Sequence, residues 1–169
     1  VQTNGKLDVS GNTFLQAGDV SILINATDCK IITDTLSHCT GKVELLVKHG
    51  ITEQKVVLDS LFFDSTASLY RGSLGRDYKM RGHSIVLSDV NGDALEDLLV
   101  WTGKEGNYGG PSFDVYLMDK NSGKFQLNEA FSELTVGYSA LFIVEKDGKI
   151  KAGAANGCCE HYFDTYEVR

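Results

Sequence analysis

The chain has 169 residues, 42% hydrophobic and 23% charged, with 23 Asp and Glu against 16 Lys and Arg, for a net charge of −7. That length supports one buried core without external staples, and the composition argues against disorder. The acidic balance disfavours a nucleic-acid or anionic-membrane partner and leaves a cation or a basic protein as electrostatic partners.

The opening, VQTNGKLDVSGN, is polar and carries no signal-peptide pattern. No run of about 18 apolar residues follows, so no transmembrane segment is expected. Residues 1–20 read as a loose lead-in to a single β domain over 1–169. KVELLVKHG (42–50) then turns into EQKVVLDSLFF (53–63). HSIVLSDV and EDLLVWTG flank an acidic loop, DVYLMD (114–119) leads through KNSG to KFQL (124–127), and LFIVEK (141–146) meets KIKAGAA (149–155). Short apolar or alternating runs joined by Gly-containing turns predict antiparallel hairpins. NEAFSELTV (128–136), with Asn128 as its cap, is the one helix expected, and HYFDTYEV reads as a last strand. One Pro and 18 Gly fit an all-β domain, a sandwich or small propeller-like fold, better than an α/β layer fold.

Cys29, Cys39, Cys158 and Cys159 form no CxxC pair of the zinc or thiol-exchange kind. They allow three pairings. Cys29–Cys39 closes a short loop and leaves an adjacent pair, whereas cross-pairing ties the two ends of the chain together. An even set of this kind predicts disulfides and an oxidising, extracytoplasmic compartment.

SDVNGDALEDLLV (88–100) holds the densest chemistry. Asp89, Asn91, Asp93 and Asp97 fall at positions 1, 3, 5 and 9 of one loop, with the Leu95 carbonyl at position 7. Alternate residues of a curled loop turn inward, and a hard cation such as calcium takes six to eight oxygens. Three carboxylates then offset its charge instead of repelling one another. An EF-hand needs Gly at position 6 and an acid at position 12; here these are Ala94 and Val100, and the flanking helices are missing. The loop instead predicts a calcium site between strands and resembles those of integrin-like FG-GAP repeats, with Ala94 where Gly is common.

DVNGDALEDLLVWTG, GGPSFDVYLMD, NSGKF and GCCEHYFDTYEV together resemble one family over roughly residues 40–169. Its members are small periplasmic, calcium-binding, all-β proteins related in fold to lysozyme inhibitors. They serve as immunity proteins against peptidoglycan-degrading effectors of bacterial type IV and type VI secretion systems. The resemblance implies a periplasmic protein that binds and blocks a cognate peptidoglycan hydrolase effector, with Ca2+ in a structural role. It further implies a protruding loop whose Ser hydroxyl meets the enzyme's paired carboxylates while an aromatic packs in a sugar subsite. The nearest match is YRGSLGRDYK, with Ser73, Gly75, Arg76 and Tyr78; a second loop, GNYGGPS, presents Tyr108 among glycines.

No enzyme is expected. Cys158, Cys159 and His161 read as structural, the four His lack metal-site spacing, His83 reads as a surface residue, and Trp101 reads as core. The rival function is an extracellular integrin-like adhesion module. Against it stands the presence of one such loop where several repeats are the rule.

Overall fold

A strand buried on both faces reads as a continuous apolar run, and one with a solvated face alternates. Both patterns occur here. The computed structural model of the chain describes residues 1–8, 11–74, 82–137, 143–156 and 159–168. Strands run in the order β1 (Gln2–Thr3), β2 (Asn12–Ala17), β3 (Val20–Ala26), β4 (Cys29–Ile31), β5 (Leu36–Cys39) and β6 (Val43–His49). They continue as β7 (Thr52–Leu58), β8 (Leu61–Asp64), β9 (Leu69–Arg71), β10 (Ile85–Ser88) and β11 (Asp97–Gly103). After a 3-10 turn at Asn107–Gly109 come β12 (Ser112–Asp119), β13 (Lys124–Leu127), helix α1 (Glu129–Glu133), β14 (Ile143–Val144), β15 (Lys149–Asn156) and β16 (Glu160–Glu167). The fold is all-β, and among the described residues no helix is long and apolar enough to cross a membrane.

A six-stranded sheet, in the order β1-β9-β10-β11-β12-β13, is the centre of the molecule. One of its faces presents Ile85, Leu87, Leu98, Val100, Tyr116 and Met118. These pack against Leu15, Ile22, Ile24, Leu45 and Val56 of the four-stranded sheet β2-β3-β6-β7. The other face presents Val86, Leu99, Trp101, Phe113 and Val115 to Phe131 and Leu134 around α1 and to Ile150 and Tyr166 of the β15–β16 hairpin. Successive residues of β10 and β11 thus feed opposite cores, which is why IVLS and LLVW show no alternation. Each fully buried leucine among them contributes about 1.5–3 kcal/mol by leaving water. The outer sheet alternates instead: in β3, Val20, Ile22 and Ile24 are buried while Asn25 is exposed.

The two facing sheets are also joined at an edge. The Gln54 side-chain amide on β7 donates to the Phe125 carbonyl and accepts from the Phe125 N–H on β13, both at 2.7 Å. Asn128 caps α1 as its sequence position predicts, accepting from the Phe131 N–H at 3.0 Å.

Three expectations are corrected. Residues 1–20 are not a loose lead-in: Gln2 and Thr3 pair with β9, and Asn12–Ala17 pairs along β3 with Leu15 fully buried. The run 53–63 is two strands, because β7 stays with the outer sheet while β8 pairs with β5. His83 is buried at 7% exposure, its ring 5.3 Å from that of Tyr70, because it sits where the chain enters the doubly covered central sheet.

Cys29 and Cys39 are paired residues of β4 and β5 and form a disulfide. Cys159 is disulfide-bonded as well, and Cys158 lies outside the described residues.

A candidate cation loop and two candidate binding loops

β10 and β11 pair antiparallel from Ile85↔Val100 to Ser88↔Asp97, so residues 89–96 form the turn between two buried strands. Tight reversal needs left-handed backbone, supplied by Gly92 at φ 81° and by Ala94 at φ 67°. Ala94 stands at position 6, and the non-glycine residue takes up the turn that glycine commonly makes there.

The loop side chains fold back on its amides. Asp89 Oδ1 accepts from the Gly92 N–H (2.6 Å) and Oδ2 from the Ala94 N–H (2.8 Å). Asn91 Oδ1 accepts from Asp93 N–H (3.1 Å), and Asp93 Oδ1 from Leu95 N–H (2.8 Å). Asp97 is fully buried; its two oxygens accept from Val90 N–H (2.9 Å) and Met118 N–H (2.8 Å). Burial, with the Asp93 and Asp89 carboxylates nearby, pushes the Asp97 carboxyl up to about 6, against the opposing pull of those two donors. No cationic side chain offsets it among the described residues.

These features test the fit to a cation. Among the described residues no group of three or more His, Cys, Asp or Glu side chains is gathered as it would be around an ion. The donor chemistry does fit. Asp89, Asn91, Asp93, the Leu95 carbonyl and Asp97 offer oxygen alone, as calcium prefers. Each carboxylate oxygen bonded to one N–H keeps a second lone pair. A buried carboxylate with no cationic partner and two acidic neighbours is a costly arrangement that a divalent ion relieves.

Glu96, at position 8, turns away from this set. Arg71, the last residue of β9, grips it through Nε to Oε1 (2.8 Å) and Nη2 to Oε2 (2.7 Å). The same guanidinium gives Nη1 to the Ala17 carbonyl (2.6 Å) and to Asp19 Oδ1 (2.7 Å) in the β2–β3 turn. Sequence reading places Arg71 in the protruding loop and assigns Glu96 no role. The one signal in the sequence is an acid lying between two ligand positions with no inward place of its own.

β9 and β10 are parallel, with Arg71 opposite Leu87. The chain therefore leaves β9 at Gly72 at the cation-loop end of the sheet and is described again from Gly82 at the far end, a crossover connection. Ser73 is exposed at the start of this crossover, its carbonyl accepting from the Tyr70 hydroxyl at 2.8 Å. Gly75, Arg76 and Tyr78 lie outside the described residues. Leu74 is buried in the cluster that holds Trp101. At the crossover's end, a Cβ on Gly82 would meet Trp101 Cζ3 at 2.9 Å and Pro111 Cγ at 3.2 Å. The crossover thus arrives beside the second loop. There Tyr108 stands 75% exposed at φ 55° and ψ 32°, a conformation costly for a tyrosine. Gly106 N–H to Gly110 O (3.0 Å), Gly110 N–H to Asn107 O (3.1 Å) and a Ser112–Glu105 contact fasten its base. Trp101 is core, as its position after the apolar run predicts, with Nε1 donating to Gly103 O at 2.7 Å. A cavity of about 710 Å³ lies elsewhere, between Lys6, Leu7, Asp8 and Gly11 and the disulfide hairpin.

Fold and cross-links define the class, a disulfide-bonded all-β protein, and the disulfide is of the kind that persists in oxidising, extracytoplasmic compartments. No family model matches the chain, and no curated protein matches it. Among solved structures it is similar to a Xanthomonas type IV secretion system related protein, at 35% identity and a TM-score of 0.89 over 99% of this chain and 80% of the other. The chain belongs to the family of that protein.

Proposed function

We propose that this is a calcium-stabilised periplasmic immunity protein that binds and blocks a peptidoglycan-degrading effector of a bacterial secretion system. The observation that carries the reading is the likeness to a type IV secretion system related protein along nearly the whole chain. The Cys29–Cys39 disulfide supports an oxidising compartment. In this reading calcium is held by Asp89, Asn91, Asp93, the Leu95 carbonyl and Asp97. It supplies charge neutralisation and a fixed turn, and takes no part in chemistry. The crossover from Gly72 and the Tyr108 loop form the contact surface, with Tyr108 as an aromatic anchor whose backbone is set before binding.

The test is turbidimetric clearing of purified peptidoglycan by lysozyme-like, amidase and transglycosylase effectors, each titrated with this protein in calcium. The reading expects one class to be silenced at a one-to-one ratio, and the protein alone to clear nothing. Full activity of every class at micromolar excess would overturn it.

A further inference from the structure

Arg71 connects three separate pieces of the molecule. Its fork holds Glu96 in the candidate cation loop, its Nη1 holds the β2–β3 turn, and its backbone is the last residue before the crossover. The Gly72 N–H then donates to Leu87 O at 3.0 Å, so the departing chain is tied to the strand that enters the loop. Glu96 lies between the Leu95 carbonyl and Asp97, and any ion that fixes those two oxygens fixes Glu96 as well. The planar guanidinium passes that position on, because a two-point contact restrains direction as well as distance. Without an ion, Asp89 and Asp93 face the buried Asp97 with no cation among them, and their bonds to the turn's own N–H groups hold the segment.

We propose that Arg71 is a positioning residue that couples cation occupancy of the 89–97 loop to the start of the crossover at Gly72–Leu74, so that the ion governs how this surface is presented. The proposal rests on the calcium reading of the loop. It requires Glu96 to be a relay and not a ligand, which its bidentate engagement by Arg71 supports.

Backbone amide exchange by NMR, with and without calcium, tests it alongside calorimetric calcium titration. In the wild type, calcium is expected to slow exchange at Gly92 and Ala94 in the loop and, by ~10-fold, at Gly72, a typical size for coupling between two sites. Glu96→Gln leaves every proposed ligand in place. It is expected to bind calcium as the wild type does and protect Gly92 and Ala94, yet lose the protection at Gly72. Arg71→Lys keeps the charge and removes the fork, and gives the same result should Glu96→Gln fail to fold. Protection of the loop without Gly72 in the wild type, or its persistence in both variants, overturns the coupling. Loss of calcium binding in Glu96→Gln makes Glu96 a ligand and overturns it as well. Absence of any calcium heat in the wild type overturns the loop reading itself, and the coupling with it.

Discussion

In the ion-free protein Asp97 holds its proton up to about pH 6, against 3.8 for the ordinary side chain. The folded state therefore keeps a proton that the unfolded chain releases between those two values. The stability this contributes is present in full below about pH 4 and is lost as pH rises through about 6. The gap of roughly two units corresponds to about 3 kcal/mol. On the calcium proposal the trend is expected to reverse when calcium is added, because the ion would take the proton's place and bind more tightly as Asp97 ionises. The assay is urea unfolding from about pH 4 to pH 7 in EDTA and in calcium, for the wild type and Asp97→Asn. The asparagine has one acceptor oxygen for the Val90 and Met118 N–H groups, and loses about 1–3 kcal/mol at every pH. Subtracting it cancels the other carboxylates: Asp19, Glu44, Asp119 and Asp147, which are held low, and Asp114, which burial holds high. In EDTA the difference between the two proteins is expected to change by about 3 kcal/mol across the window. A constant difference would refute the argument that burial, unrelieved by any cation, governs this carboxylate.

Asp93→Ala is expected to abolish calorimetric calcium binding. It also removes the calcium-dependent rise in Tm, which at a hundredfold excess over Kd is worth about 2.7 kcal/mol, or about 5–10 °C for a chain this long. Cys29→Ser with Cys39→Ser, opening a loop with a sequence separation of 10, is expected to cost about 3 kcal/mol in urea unfolding. Tyr108→Ala, at a side chain 75% exposed, is expected to leave Tm unchanged while weakening inhibition of the silenced effector by at least about 30-fold, the scale of a hot-spot loss.

The hairpins were legible because each strand pair is local and its turn is written in Gly, Asn or Asp. β6–β7, β12–β13 and the capped α1 stand where the sequence puts them. Pairings that depend on distant partners left no local mark. Nothing near residue 70 announces that β9 lies parallel to β10 and antiparallel to β1, and nothing near Asp59 announces that the chain changes sheets there. At the loop, the spacing picks out a set of oxygen groups; the structure bonds Asp89, Asn91 and Asp93 to the turn's own amides, and Asp97, at the start of β11, to the Val90 and Met118 N–H groups. Arg71 reads in the sequence as part of the protruding loop because an arginine in a Gly-rich stretch reads as solvated. Its actual partners are 25 and 52 residues away in the chain, at Glu96 and Asp19.

Gln54 carries a consequence of its own. A strand at the rim of a sheet exposes N–H and C=O groups that can recruit a strand from another molecule, the first step toward fibrils. β13 is the rim of the central sheet, and its Phe125 N–H and carbonyl are already occupied by one amide side chain. A single residue thus works as a counterfeit strand, sealing a rung that would otherwise be open to a neighbour's backbone. Glutamate at that position would keep the acceptor and lose the donor, leaving the Phe125 carbonyl available to an incoming chain.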